Sequence, residues 1–146
     1  MSEVSTPSLR QTASLSLGLA TIGANAILTA LNTASKDAVV AVADPAGDLI
    51  CLNRTDGAPT PSVKIAIDKA TTAARMQVST RQLGLQSKAE DWDFIYFAGQ
   101  PMIGWAGGLP VRIGGQVVGA IAVSGLDELS DEQFARIGVE AIEAVL

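Results

Sequence analysis

The chain has 146 residues, of which 48% are hydrophobic and only 4% aromatic, so we expect one domain with a core of small, close-packed aliphatic side chains. It contains one cysteine and no histidine, which excludes an intrachain disulfide, histidine-ligated zinc or haem, and histidine-dependent catalysis. The net charge of −5 argues against a nucleic-acid partner, which would need a basic surface.

No segment is typical of a membrane or secreted protein. No run reaches the ~18 uninterrupted apolar residues of a membrane span. The opening MSEVSTPSLR lacks the basic and apolar regions of a signal peptide. The lone Cys51 fits a reducing compartment. We therefore expect a cytoplasmic protein without a membrane partner, folded as one domain over residues 1–146 with residues 1–7 flexible. The apolar excess favours a homo-oligomer.

A helix and a β-hairpin are predicted first. Ser8 and Gln11 have the spacing of a capping box, and the apolar residues that follow predict a helix over Leu9–Asn32. The run AVVAVA at 38–43 is typical of a buried strand. DPAGD then predicts a turn, and LICL at 49–52 returns as the second strand of a hairpin.

Two helices are predicted next. Thr60-Pro61 begins a helix that extends to Gln77, because proline is favoured in a first helical turn. The alanine residues of this helix share one face with valine and isoleucine, so that face should pack closely on the sheet. Ser79 and Gln82 repeat the capping-box spacing and predict a short third helix.

Three strands and a final helix are predicted for the second half. The strands cover Pro101–Trp105, Leu109–Ile113 and Val117–Val123, with a tight turn at Gly114-Gly115. Ser130 is expected to cap the last helix, whose buried face would contain Phe134, Ile137, Ala141 and Val145. The order α-ββ-α(α)-βββ-α with short connections predicts an α+β fold, a five-stranded antiparallel sheet with flanking helices.

The glycine-rich stretch GGLPVRIGGQVVGAIAVSG at 107–125 has the spacing of a phosphate-binding loop. Such a loop follows a strand and opens a helix, whereas Gly114-Gly115 would join two strands. The acidic residues at the start of the last helix would repel a phosphate and complement the helix dipole instead. We therefore predict a hairpin here, and no metal site, because these acids lack the spacing of a calcium loop.

Three stretches in this order resemble the GlcG/HbpS family of haem-binding or haem-degrading domains, which includes the C-terminal domain of PduO-type proteins. They are AVVAVADPAGDLICLNRTDGA, KIAIDKATTAARM and GGLPVRIGGQVVGAIAVSGLDELSDEQFARIG, and in outline they cover almost the whole chain. The resemblance implies an antiparallel sheet with flanking helices, profilin- or PAS-like in outline, and an oligomer. It also implies a pocket near Arg54, Lys69 and Gly107-Gly108, shared between subunits.

Only this resemblance suggests haem as a ligand. Because the chain has no histidine, an axial ligand would have to come from other side chains, namely Cys51, Met76, Met102, Tyr96 or Lys69. Cys51 lies in a predicted strand, where a free cysteine is more typical of a hydrophobic core. We therefore expect no cofactor, with haem as the alternative that the family implies.

Lys69 and Arg54 are the strongest candidates for contact with a ligand. Lys69 lies at the edge of the alanine-rich helix face, where partial burial suits an anion anchor, a general base or a Schiff-base nucleophile. A lysine that keeps its ammonium in water fits the same position. Arg54 ends a strand beside a glycine-containing loop and would hold a carboxylate, or else pair with Asp44 or Asp56.

Two acids and a phenol complete the candidate catalytic set with Lys69. Asp131 and Glu132 would supply acid–base chemistry beside the Lys69 of a neighbouring subunit, or would only stabilise the start of the last helix. Tyr96 is the alternative acid.

Five of the six aromatic residues lie between positions 92 and 105: Trp92, Phe94, Tyr96, Phe97 and Trp105. Such a cluster forms the wall of a pocket for a planar ligand, an oligomer interface, or the large packing residues of a core. The candidate ligand-binding residues are Trp92 and Trp105, together with Gly107 and Gly108.

These observations leave three functional hypotheses. The first is a small-molecule-binding protein whose intersubunit pocket takes an anionic, planar or ring-containing ligand. The second is a cofactor-independent isomerase or lyase that uses Lys69 with a carboxylate or tyrosine. The third is an accessory structural oligomer.

Overall fold

The structure, a computed structural model, describes residues 4–95 and 99–146. These residues form four α-helices and four β-strands in a single α+β arrangement. In chain order the elements are α1 Leu17–Thr33, β1 Val39–Ala43, β2 Leu49–Arg54, α2 Ser62–Met76, α3 Thr80–Glu90, β3 Gly108–Ile113, β4 Gln116–Ser124 and α4 Glu128–Glu143.

The sheet has the strand order β2-β1-β4-β3, and every neighbouring pair is antiparallel. Each half of the chain supplies one hairpin, and the two hairpins join through β1 and β4. The alanines of α2 pack on one face of the sheet, against Val39, Ala41 and Ala122, as the sequence predicts. α1 and α4 cover the other face together with the larger aliphatic residues of the core. Gly114 and Gly115 form the β3–β4 turn with positive φ, so the hairpin prediction is confirmed.

The sheet in the described part of the chain has four strands, so the prediction of five was wrong. The segment 101–105, expected as a strand, lies irregularly beside α3. Its backbone N–H groups bond elsewhere: that of Met102 donates to the carbonyl of Ile95 over 2.9 Å, and that of Ile103 to the Thr72 hydroxyl over 3.1 Å. The backbone of Gly104 also lies directly against Gly84 of α3. These contacts replace the ladder hydrogen bonds that a strand would make.

α1 begins eight residues later than predicted, at Leu17 instead of Leu9. The cap is Ser16, whose hydroxyl accepts a hydrogen bond from the Leu19 N–H over 3.2 Å, and Ser8 lies in an exposed segment without regular structure. Leu15 is buried, and its N–H donates to the Val118 carbonyl of β4 over 2.8 Å. This attachment to the sheet holds the chain in an extended conformation up to the cap.

α4 also begins at a different cap. Asp127, not Ser130, accepts the capping hydrogen bonds, and both donors come from Ser130, through its N–H and its hydroxyl. The buried face of the helix also differs from the prediction: Ile137 and Val145 are exposed, whereas Ile142 is fully buried. In the described part of the chain no helix is long and apolar enough to span a bilayer.

Candidate functional site

Lys69 is buried against the end of the sheet. It lies on α2 and is only 2% exposed. Its Nζ donates to Asp131 Oδ2 over 3.0 Å and to the Val123 carbonyl over 3.1 Å. The sequence indicated partial burial at a helix edge, whereas the structure shows an almost completely buried side chain whose ammonium group is in an ion pair.

Asp131 is the second member of this pair and is 3% exposed. Its Oδ1 accepts a hydrogen bond from the Leu126 N–H over 3.0 Å. Burial raises the pKa of Asp131, and the opposing effects of Lys69 and of the hydrogen bonds are smaller. We expected Asp131 beside the lysine of a neighbouring subunit. It instead contacts Lys69 of its own chain, because α4 begins just after the end of β4, where Lys69 also bonds to the Val123 carbonyl.

Gly107 and Gly108 allow the backbone to pass directly beside the ion pair. Gly107 has φ +131°, and a Cβ there would lie 2.7 Å from Lys69 Nζ and 2.6 Å from the Val123 carbonyl. A Cβ on Gly108 would lie 2.6 Å from the carbonyl of Lys69. Both glycines are buried. They therefore permit a close approach to Lys69, whereas the sequence suggested the rim of a pocket.

A cavity of about 230 Å³, the small cavity, opens beside the ion pair. It lies between the start of α2, the end of β4 and the start of α4. Lys69 and Asp131 both border it. The other lining residues that matter below are Ser62, Ser124, Trp105 and Glu128.

A larger cavity of about 730 Å³, the aromatic cavity, lies between α3 and the segments on either side of residues 96–98. Its lining combines aromatic, sulfur-containing and charged side chains, and the charged ones include the acids Asp91, Asp93 and Glu128 as well as two cations. The lining includes Arg81, Lys88, Trp92, Phe94, Met102 and Trp105.

The aromatic residues divide between packing and cavity wall. Phe94 and Met102 are buried with Leu83 in a small hydrophobic cluster. The rings of Trp92 and Phe94 lie 5.9 Å apart at 43°. Trp105 is 55% exposed and lines both cavities, as does Glu128. Tyr96 and Phe97 lie outside the described residues.

Arg54 stands apart from both cavities. It is exposed at the end of β2 and pairs across the sheet with Val39, which in turn faces Ser124. The three residues form one row, so Arg54 lies about 10 Å from Ser124, two strand spacings away. Within residues 4–95 and 99–146, no carboxylate is close enough to Arg54 for an ion pair. The structure therefore brings Lys69 and Asp131 together but not Arg54.

Glu132 does not join the Lys69 ion pair either. Its carboxylate lies 3.6 Å from Arg81 on α3. This contact links α4 to α3 at the edge of the aromatic cavity.

The sequence did not indicate several polar lining residues, among them Ser62, Ser124, Arg81 and Lys88. Ser62 and Ser124 lie at the first and last positions of regular elements, where a serine is unremarkable. Arg81 and Lys88 lie seven residues apart, about two helical turns, and so fall on one face of α3. That spacing is the one signal in the sequence that could have placed them together.

The sulfur-containing residues proposed above as haem ligands are separated in space. Cys51 is half-buried in β2 and packs against the core under α1 and α4, and burial raises the pKa of its thiol. Met76 packs at the edge of the small cluster, and Met102 lies in it and lines the aromatic cavity. Of these residues, Met102 is the one placed for contact with a ligand there.

Relatives with known sequences cover most of the chain. A family model described as "Haem degrading protein HbpS-like" matches residues 15–140. A 15.0 kDa protein of the dhaT-dhaS intergenic region of Citrobacter freundii is 30% identical over 133 residues, 90% of this chain and 94% of that protein. Protein GlcG of Escherichia coli K12 is 33% identical over 85 residues, 58% of this chain and 62% of GlcG.

Solved structures share the fold. Klebsiella pneumoniae ORFY superposes with a TM-score of 0.89 over 97% of this chain and 99% of its own, at 24% identity. A double mutant of Streptomyces reticuli HbpS superposes with a TM-score of 0.83 over 100% of this chain and 97% of its own, at 31% identity. The protein of a PduOC:heme complex superposes with a TM-score of 0.73 over 88% of this chain and 95% of its own, at 21% identity. The match over residues 15–140 shows that the chain belongs to the HbpS-like family.

Proposed function

We propose that the protein binds a planar or ring-containing small molecule that carries a carboxylate, in the aromatic cavity. The observation that carries this proposal is the wall of a cavity of about 730 Å³, which combines Trp92, Phe94 and Trp105 with Met102. Ligand pockets typically have this size and this predominance of aromatic and apolar side chains. Flat ligands gain dispersion contacts and ring stacking against such walls.

Arg81 and Lys88 are the groups that would hold the carboxylate. Both line the aromatic cavity, and a guanidinium or ammonium group binds carboxylates with charge-assisted hydrogen bonds. This assignment replaces the expected pair of Arg54 and Lys69. Lys69 is buried in its 3.0 Å pair with Asp131, whereas Arg81 is half-exposed and lies 3.6 Å from Glu132. Arg54 lines neither cavity.

Haem is the first ligand to test. The family model is named for haem degradation, and one structural neighbour is a heme complex. The described lining offers a flat macrocycle aromatic walls and the thioether of Met102, and its two cations lie among three acids, Asp91, Asp93 and Glu128. Haem would supply redox and oxygen chemistry there, while the chain itself would orient the ring and restrict access of water.

The test is a hemin titration followed in the Soret band. Trp105→Ala and Lys88→Gln should each weaken binding, by roughly tenfold for a contact worth about 1.4 kcal/mol. Lys36→Gln, an exposed lysine far from the cavity in sequence, is the matched control. Binding that is unchanged in Trp105→Ala and Lys88→Gln would contradict the proposed site. A change in the Soret position in Met102→Leu would identify the thioether as a ligand.

A second candidate function is a metal-free isomerase or lyase at the small cavity. The observation that favours it is the buried ion pair of Lys69 and Asp131 at the cavity wall. Asp131 already accepts a hydrogen bond from the Lys69 ammonium, so it is the group that would take the proton when the amine is freed. The free amine would then take a proton from a carbon next to a carbonyl group.

Deuterium exchange tests this second function. Hydroxyacetone in D₂O is followed by proton NMR, and the wild-type protein should accelerate exchange at the carbon atoms next to the carbonyl. Lys69→Met should abolish the acceleration, whereas Lys64→Met on the same helix should not. Exchange that persists in Lys69→Met would exclude Lys69 as the base.

Self-association remains part of the proposal. Large hydrophobic side chains are exposed on α1 and α4, at Leu17, Ile22, Leu129 and Ile137. Exposed apolar patches of this kind support an interface between subunits. Light scattering should show an oligomer, and a monomer would contradict a pocket shared between subunits. An oligomer that binds no small molecule would favour the structural role.

A further inference from the structure

Two serine hydroxyls open onto the small cavity without a protein partner. Ser62 is 5% exposed and Ser124 is 3% exposed. Neither hydroxyl bonds to any group among residues 4–95 and 99–146, although every fully enclosed side-chain polar atom there has a partner. Both residues line the small cavity. Because no enclosed side-chain polar atom of these described residues lacks a partner, both hydroxyl oxygens must reach the open space of the cavity, where their donors and acceptors are available to a ligand.

Lys69 adds a third polar group. An ammonium has three N–H donors, and those of Lys69 bond to two acceptors, Asp131 and the Val123 carbonyl. The residue also lines the small cavity, so one donor remains for a ligand. Both carboxylate oxygens of Asp131 are already occupied, by Lys69 and by the Leu126 N–H.

The charges at the small cavity determine what kind of ligand fits. Asp131 balances the positive charge of Lys69, and Glu128 adds a further negative charge at the wall. An anion would therefore meet donors but no net positive charge. An uncharged oxygen meets the same donors without repulsion from Glu128, and hydroxyl groups can exchange hydrogen bonds with either serine.

We propose that Ser62, Ser124 and Lys69 form a second binding site, which holds the carbonyl and hydroxyl oxygens of a small uncharged molecule. The Lys69 ammonium donates to a carbonyl oxygen, and the two serines bond to neighbouring hydroxyl groups. The site is separate from the aromatic cavity and touches it at Trp105 and Glu128. It requires neither a planar ligand in the aromatic cavity nor catalysis by Lys69.

The experiment compares two three-carbon probes of nearly equal size, hydroxyacetone and lactate. Each is titrated into the full chain, and backbone ¹H–¹⁵N NMR shifts give the dissociation constant. We expect hydroxyacetone to shift the amides of Ser124, Gly125 and Leu126 and to bind more tightly than lactate. Ser62→Ala and Ser124→Ala should each weaken binding by roughly five- to tenfold, the value of one hydrogen bond. Ser8→Ala, in the exposed N-terminal segment, should bind as the wild type does.

Three results would overturn the proposal. The first is no shift at these amides with hydroxyacetone, and the second is tighter binding of lactate. The third is equal affinity in wild type, Ser62→Ala and Ser124→Ala. The hemin titration is independent of all three, so hydroxyacetone binding without hemin binding would reject only the planar ligand of the aromatic cavity. Binding of hydroxyacetone without deuterium exchange would reject only the second candidate function.

Discussion

At the residue scale, the buried ion pair of Lys69 and Asp131 is the feature that the sequence predicted least completely. The sequence placed Lys69 at the edge of an apolar helix face, and this identified the residue correctly as unusual. It could not show that Asp131, 62 positions later, would be its partner. That contact depends on how the start of α4 and the middle of α2 meet at the end of β4, which no local pattern determines.

Lys69→Met should destabilise the protein strongly. Removing one partner of a buried pair leaves an uncompensated charge and costs about 3–5 kcal/mol. Lys64 is the control, because it pairs with Asp68 on the same helix but is mostly exposed, and Lys64→Met should cost less than about 1 kcal/mol. Urea unfolding measures both values. Equal losses of unfolding free energy in the two variants would show that the buried ion pair stabilises the fold no more than the exposed pair does.

The pH dependence of stability follows from the raised pKa of Asp131. A carboxyl group whose pKa is higher in the folded state binds its proton more tightly when folded. Its contribution to stability is therefore complete below the unfolded pKa of about 3.9 and is lost as the pH rises through the folded pKa. The free energy of unfolding of the wild type, measured relative to Asp131→Asn, should therefore fall as the pH rises from about 3.9 through the folded pKa. A rise in this difference would mean that Lys69 lowers the pKa overall.

At the element scale, the sequence predicted regular segments better than their ends. The alternation and alanine patterns identified β1, β2, α2, β3 and β4, because burial on one or both faces is visible in the order of residues. The caps of α1 and α4 were assigned to the wrong residues, since several serines and acids offered suitable spacing. The segment 101–105 was apolar enough to suggest a strand, but packing against α3 determined its conformation.

Gly107→Ala should disturb the junction between β3 and α2. The residue has φ +131°, and a Cβ would press on Lys69 Nζ and on the Val123 carbonyl. We expect a loss of about 2–3 kcal/mol, more than the ~1 kcal/mol of backbone strain alone. Gly114→Ala is the matched control, because Gly114 also has positive φ but a Cβ there would meet nothing within 4 Å. Equal losses in urea unfolding would mean that the contact with Lys69 is not tight.

At the scale of the whole molecule, the family and the α+β class were predictable, and the composition of the aromatic cavity was only partly so. The aromatic cluster at 92–105 indicated a wall, and Trp92 and Trp105 do line the aromatic cavity. Of the cations expected to accompany them, Lys69 lines the small cavity with Trp105, and Arg54 lines neither cavity. Arg81 and Lys88 take that place because α3 folds back beside the cluster, and this arrangement depends on the close contact between Gly84 and Gly104.

The most direct test of the proposed site is an NMR map of the bound ligand. Gallium protoporphyrin, a diamagnetic substitute for haem, is added to ¹⁵N-labelled protein, and amide shifts are recorded along the chain. The account predicts the largest shifts in α3 and at residues 92–95 and 102–105, around the aromatic cavity, with α1 and β2 little affected. Shifts concentrated on α1 and β2, or no shifts at all, would contradict it.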